Sequence, residues 1–401
     1  MMILLYCIMQ LLAFELSLPA ATNSEFRLYF DMAYKSTDPE YKVKFFTKAI
    51  AAWDDSDVKR DLAKAYNNLG FFSSTKNDYD KALHNFNRAV DIDPDYIQPY
   101  YNRGILYYFR KEYDKALEDF NKALALDPYF VNAYYNRGLV LCSKADYDKA
   151  ILDLNRVIEL RLNDAEAYNN RGIAYLHKDE FAKALADFNK AIELQANDAS
   201  YYYNRGLVYN KSKSYQKAVV DFSKAVLMNP KDIESWFNRG FAYKKLNEYK
   251  KAREDFSRVL ELDADYINAY YNRGLVYAYL KEYKKAINDY NKALSLDPRA
   301  DEVYNARGWV YLWLEKWDDA RNDFETLIKI NKDYATPYIN LAIYYWRAKK
   351  DLSKALEYYE EGFKRGWDHF SALYDETSDG YFVKDLVRTP EFKELLNKYK
   401  K

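Results

Sequence analysis

Three histidines and two cysteines are all that 401 residues offer as soft metal ligands and strong nucleophiles. His84, His177 and His369 lie far apart, and Cys7 and Cys142 make neither a disulfide framework nor a zinc pattern. No glycine-rich phosphate loop and no nucleophile elbow occurs, and the carboxylates are spread along the chain rather than gathered. Each histidine reads as an ordinary helix-surface residue. No catalytic residue, metal or cofactor is therefore assigned, and the chain is not expected to be an enzyme.

Charge of one sign is missing too. Sixty-one basic and 61 acidic residues cancel, which removes the electrostatic case for nucleic acid or an anionic membrane as partner. The charged residues fit helices laced with exposed ion pairs such as Glu118 and Lys122. Nine prolines and 11 glycines leave little room for linkers. Only residues 3–14, ILLYCIMQLLAF, form a long apolar run, with small residues following at Ser17, Ala20 and Ala21. It has the length of a signal-peptide core and falls short of the roughly 20 residues of a membrane span. No Lys or Arg precedes Arg27, so a membrane anchor and a misplaced start stay open beside the cleaved leader. A true leader implies an exported or envelope-associated protein, and its absence a cytoplasmic one.

Eight of the glycines fall 34 residues apart, from Gly70 through Gly104, Gly138, Gly172, Gly206, Gly240 and Gly274 to Gly308. A fixed period of that length means stacked copies of a unit that cannot bury its apolar face alone. Four residues before each glycine stands Tyr or, at Trp236, tryptophan. Nine after it comes an aromatic, twelve after an alanine (Ala82 through Ala320), and sixteen after a Phe, Leu or Tyr. These spacings describe two amphipathic helices per unit, with small residues where the helices approach. Asp93-Pro94, Asp127-Pro128, Asn229-Pro230 and Asp297-Pro298 mark unit ends, where proline pushes its predecessor out of helical geometry.

This order of aromatic, small residue, Ala, Phe and Pro resembles the tetratricopeptide repeat over residues 63–369. The resemblance implies an all-α, right-handed superhelical solenoid of antiparallel helix pairs. Nine repeats start at 63 and every 34 residues to 335. In the ninth, Ala342 replaces the glycine and the helix-B alanine comes one residue late, at Ala355. Residues 1–23 are set apart as the leader. Residues 24–62 read as a degenerate helical pair capping one end, with Phe45, Phe46, Ala49 and Ile50 surviving of the pattern. Residues 370–401 read as capping helices at the other end, where Gly366-Trp367 and Gly380-Tyr381 change the rhythm and Thr389 caps a last helix opened by Pro390.

Two polar columns travel together. Arg103, Arg137, Arg171, Arg205, Arg239, Arg273 and Arg307 precede the glycines, and sixteen residues later stand Asp119, Asp153, Asp187, Asp221, Asp255, Asp289 and Asp323. The first repeat has Leu69 and Asn85 instead, and the ninth lacks both. Joint presence and absence within one repeat predicts that each arginine on helix A pairs with the aspartate on its own helix B. Buried charges are retained chiefly when paired. These arginines are structural rather than an anion-binding stripe.

On helix A, Gln98, Tyr101, Asn102, Ile105, Tyr108 and Phe109 share one stripe by i, i+3, i+4 spacing. The resemblance places that stripe on the concave face, where partners bind. Two residues before the glycines run Asn68, Asn102, Asn136, Asn170, Asn204, Asn238 and Asn272, with Ala306 breaking the row before Asn340. The row is similar to the asparagine ladder in the repeats of O-GlcNAc transferase. An amide both donates and accepts, so it reads a peptide main chain without reading its sequence. The candidate peptide-binding residues are Asn102, Asn136, Asn170, Asn204, Asn238 and Asn272, with Tyr101, Tyr135, Tyr203 and Tyr271 beside them. The other reading is that the amides stitch neighbouring helices and the tyrosines pack. A variant of the family clamps the C-terminal carboxylates of heat-shock chaperones with groove cations, but here those places hold neutral residues, apart from Lys64 near the start of its helix. The function implied is a non-catalytic module holding an extended peptide or partner protein in the groove. Two alternatives remain: a scaffold or assembly factor docking folded partners on its convex helix-B face, and an accessory subunit supplying position alone. The partners implied are other proteins or peptides, with no nucleic acid and no membrane contact beyond the leader.

Overall fold

Columns of small and aromatic residues become helix pairs because Ala and Gly let two backbones meet while rings fill the remaining space. The computed structural model describes residues 24–55, 57–374 and 382–399, which form helices and short connections with no strand among them. Expectations for the leader, and for Gly380 and Tyr381, lie outside the described residues. The chain is an all-α solenoid of consecutive helix pairs and divides into two units, residues 1–194 and 195–401. From the second repeat to the eighth, helix A has 13 residues, as in Ile97–Phe109, and helix B has 14, as in Tyr113–Leu126.

In the first unit, helices Glu25–Lys35 and Pro39–Ala51 bring Phe26, Phe30, Phe45 and Phe46 against Leu62, Ala65 and Leu69 of the first repeat. An apolar face that would otherwise meet water is thereby covered. The second unit ends on helix Pro390–Tyr399, whose first turn is capped by Thr389 Oγ1 accepting from the Phe392 amide at 3.3 Å. Its Phe392 meets Tyr359 edge-on. In the ninth repeat, helix A passes into a π-helical turn over Tyr345–Lys349. That turn absorbs one extra residue, which is why Ala355 arrives late.

The glycines sit inside helices for want of space. A Cβ built on Gly308 would lie 2.4 Å from the Phe324 ring, and on Gly274 2.5 Å from the Tyr290 ring. Only opposite Leu154 is there slack, where a Cβ on Gly138 meets nothing nearer than 3.3 Å. The side chain sixteen residues on, a ring except at Leu154, is itself fully buried in every repeat from Phe120 to Phe324, as is the alanine column. Helix B then stops at the predicted place: Asp93 has φ −134° and ψ 91°, and Asp127 φ −138° and ψ 100°. The aromatic of the next helix A ties back to that turn, as Tyr100 Oη donates to the Pro94 carbonyl at 3.2 Å and Trp236 Nε1 to the Pro230 carbonyl at 3.1 Å.

Each arginine meets the aspartate of its own repeat through two parallel bonds. Arg103 Nε and Nη2 donate to Asp119 Oδ2 and Oδ1 at 2.8 and 2.7 Å, and the pattern recurs through Arg307 and Asp323. These hydrogen bonds hold the Arg137 and Arg205 guanidiniums above their ordinary value, against the opposing effect of burial. The third nitrogen does something the spacing did not announce. Nη1 of Arg103, Arg137 and Arg171 donates to Asn87, Asn121 and Asn155 on helix B of the preceding repeat, at 2.5–2.6 Å. In the second unit Arg239 and Arg273 use Ser223 and Ser257, and Arg307 uses Asn291. One guanidinium thus closes its own repeat and docks it on its neighbour.

Two outcomes follow for urea unfolding. Gly308→Ala lowers stability by about 1–3 kcal/mol through overpacking, whereas Gly138→Ala is neutral or gains up to about 1 kcal/mol from helix propensity. Arg239→Leu alone leaves Asp255 buried and unpaired and costs about 3–5 kcal/mol. Adding Asp255→Asn recovers most of that loss, because the first repeat already lives with Leu69 and Asn85.

Candidate interaction surface

Helix A packs on helix A of the next repeat within each unit, and the residues lining that seam are those singled out by the stripe. The asparagine side chains cross it. Asn102 Nδ2 donates to Asn67 Oδ1 at 3.0 Å, Asn136 Nδ2 to Tyr101 Oη at 3.0 Å, and Asn170 Nδ2 to Tyr135 Oη at 2.9 Å. In the second unit Asn340 Nδ2 reaches Asn305 Oδ1 at 2.9 Å. The acceptor always stands three residues before the glycine of the preceding repeat. Phe237 has no acceptor at that place, and Asn272 Nδ2 turns instead to the Asn268 carbonyl of its own helix. Asn238 Nδ2 likewise bonds the Glu234 carbonyl, and Asn204 sits half-buried at the same position. Asn102, Asn136 and Asn272 are buried.

Of the two expectations for this row, gripping a peptide main chain or stitching neighbouring helices, the donors of Asn102, Asn136 and Asn170 are used in the second way. The tyrosines share that duty. Tyr101 is buried against Phe120 and Phe130, with ring centroids 6.1 and 4.9 Å away. Tyr135 accepts from Asn170. Tyr203 packs on Phe222 and Tyr271 on Tyr290, and burial pushes both phenols up to about 12. Tyr271 also lines a cleft of about 350 Å³ with Asn268, Arg299, Asp301 and Glu302.

What the stripe does present to solvent lies one turn further on. Phe109 and Tyr279, five residues after their glycines, are 50% and 59% exposed. Trp313 occupies the same place in the eighth repeat, with Trp309 one turn earlier and Trp317 opening helix B. On these three rings lies Phe382, its centroid 6.0, 4.9 and 6.4 Å from those of Trp309, Trp313 and Trp317. A segment of the chain's own C-terminal region is thus seated on a helix-A face. Three tryptophans spaced four residues apart were the signal for it.

Charge enters this surface through Lys244 and Lys245, which end helix A of the sixth repeat. Both lie past the glycine of their repeat, Gly240. Burial, with the like charge of Lys245 behind it, holds the Lys244 ammonium down to about 8. Elsewhere the titratable groups offer little chemistry. Burial lifts the Cys142 thiol to about 11, away from thiolate reactivity. His177 stacks on Tyr147 at 5.0 Å. Among the described residues, no group of three His, Cys, Asp or Glu is placed to hold a metal, and no helix is long and apolar enough to cross a membrane.

Family models described as tetratricopeptide repeat match residues 97–130, 165–198, 199–232, 233–266 and 267–299, and further models of the same repeat match 75–110, 120–151, 138–179 and 305–368. Together they span 75–299 and 305–368. A comparison with curated proteins gave no match. Among solved structures, the chain is similar to YrrB, described as a TPR protein with an unusual peptide-binding site, at 27% identity, covering 48% of this chain and 98% of that one, with a TM-score of 0.43. A tetratricopeptide repeat protein from Parabacteroides merdae ATCC 43184 is 19% identical, with 60% and 95% covered and a TM-score of 0.48. MamA from Desulfovibrio magneticus RS-1 is 25% identical, with 42% and 96% covered and a TM-score of 0.40.

The stitching role has a measurable consequence. Asn136→Ala breaks a buried bond between repeats and lowers stability by about 1–2 kcal/mol. Asn238→Ala, whose donor serves only its own helix, changes it by no more than about 0.5 kcal/mol. Equal effects in chemical denaturation would contradict this assignment.

Proposed function

Because the chain belongs to the tetratricopeptide repeat family, we propose that it is a non-catalytic interaction module whose helix-A faces receive an extended segment of another polypeptide. Proteins of this family generally bind proteins or peptides. The observation that carries the reading is Phe382 lying on Trp309, Trp313 and Trp317, because the surface there already accepts an aromatic side chain from a helical turn outside the repeats. The mechanism is a preformed surface on which ordering costs have been met by packing between repeats, so that many weak contacts add up. Exposed rings such as Phe109 and Tyr279 take apolar side chains. The asparagines of the first unit contribute through rigidity, since their amide donors tie one repeat to the next.

A scaffold reading has its own support on helix B, where Leu152 is 67% and Leu227 74% exposed. Single apolar side chains on a surface are common, whereas a ring bound by three others is a contact of defined geometry. The groove reading is therefore preferred. Export by a leader in residues 1–23 is a separate proposal, decided by N-terminal sequencing of the mature protein.

Photo-crosslinking in the source organism separates the two surfaces. A benzophenone amino acid placed at Phe109 or Tyr279 is expected to capture a partner, and the same group at Leu152 or Leu227 to capture none. Capture from the helix-B positions alone overturns the groove reading in favour of the scaffold.

A further inference from the structure

One cation on the helix-A face of the second unit has no counter-ion. Lys244 Nζ and Lys245 Nζ lie 5.1 and 5.4 Å from the centroid of the Phe241 ring, so two ammonium groups share one aromatic ring. Lys244 Nζ donates to Asn272 Oδ1 at 2.5 Å, and among the described residues neither lysine has a carboxylate within ion-pair distance. Other lysines of the same unit do find one, as Lys251 does with Glu248 and Lys285 with Glu282.

Packing does not explain a charge here. Four residues past the glycine, or past Ala342 in the ninth repeat, the other repeats carry Ser74, Tyr108, Cys142, Leu176, Asn210, Ala278, Leu312 and Trp346, all uncharged at neutral pH. A half-buried ammonium without an anion loses hydration and gains only an amide oxygen in return. The depressed proton affinity of Lys244 reports that cost. An arriving carboxylate removes it, since an opposite charge within about 4–6 Å favours the ionised form.

Resting on the reading of helix A as the docking face, we propose that Lys244, with Lys245 beside it and Asn272 holding the ammonium in place, binds a carboxylate of the incoming polypeptide. The site lies four and five residues past the glycine of its repeat. The carboxylate belongs to an acidic side chain or to a chain terminus, and both are accessible to the same chemistry. Phe241 supplies the apolar floor against which the residue carrying it packs.

Three acetylated hexapeptides test this on the full chain by titration calorimetry: one with alternating Glu and Phe and an amidated end, its Gln counterpart, and the Gln peptide with a free C-terminal carboxylate. The Glu or the free-carboxylate peptide is expected to bind at least about tenfold more tightly than the neutral one, and which of them does so names the source. Lys244→Asn, which copies Asn210 of the fifth repeat, is expected to abolish that preference while leaving the neutral peptide's affinity unchanged. In parallel, the titration midpoint of the Lys244 ammonium, followed by NMR of labelled lysine, is expected to move from about 8 towards the ordinary 10.5 on saturation. No preference, a preference that survives Lys244→Asn, or a midpoint that stays put at millimolar peptide each overturns the carboxylate site. Capture through Tyr279 that persists in Lys244→Asn leaves the docking face standing without it, whereas loss of all capture from helix A removes both.

Discussion

The approach of helix A to helix B at the glycine is the constraint from which the remaining geometry follows. With a ring edge pressed where a Cβ would sit, neither helix can slide or rotate without a clash, and the pair becomes a rigid brick. A rigid brick fixes where the flanking arginine points. Its guanidinium spans the gap to the aspartate of helix B and has one nitrogen left for the next brick back. Distance within a repeat and docking between repeats are in this way set by adjacent residues, Arg and Gly, on one turn of helix.

Such a bridge serves specificity more than raw stability. Ion pairs of this kind recover much of their attraction only to offset the loss of water, so hydrophobic replacements of matched shape are often tolerated. The first repeat, with Leu69 and Asn85, and the ninth, with Leu341, are folded examples within this same chain. What leucine does not supply is direction. A fork with two bonds to one carboxylate and a third to an amide has a single arrangement, and a stack of near-identical bricks needs some device that forbids the others.

How much of this was legible depended on which residues share a repeat. Ala, Gly, ring, Arg and Asp fall at fixed offsets inside one repeat, so their columns were plain and their pairing followed. The Asn or Ser that completes each arginine's shell belongs to the repeat before. Its column is therefore shifted: Asn87 is present in the first repeat, which has no arginine, and Glu325 replaces it in the eighth, after which no arginine follows. The acceptors of the asparagine row were not legible for a related reason, since they lie 35 residues back, and Asn272, preceded at that place by Phe237, bonds its own helix instead. Nothing in the sequence marked the left-handed turn after helix A. It is filled by Asn77, Lys111, Ala145, Asp179 and Lys213 among others, and the cost of φ near +60° is met by the amide of the following residue bonding back into helix A, as Glu112 does to Tyr107. A backbone motif sustained by its own hydrogen bonds leaves no column of residue types.

Period and function consequently separate. Much of what recurs in every repeat is answerable to the joints within and between bricks, and the amide donors of Asn102, Asn136, Asn170 and Asn340 are used there. A ligand that is not itself periodic needs features that break the repeat, and those concentrate in the second unit. Three tryptophans crowd one repeat, and a segment with no period lays Phe382 across them. Lysine stands at Lys244, where every other repeat is uncharged, and is left without an anion. The tryptophan face is covered by Phe382, which is buried in the core of that unit, whereas a desolvated ammonium costs stability in isolation. A feature that weakens a brick while the other bricks avoid it finds its compensation in contact with something else, and the carboxylate proposed for Lys244 is the compensation that this ammonium lacks.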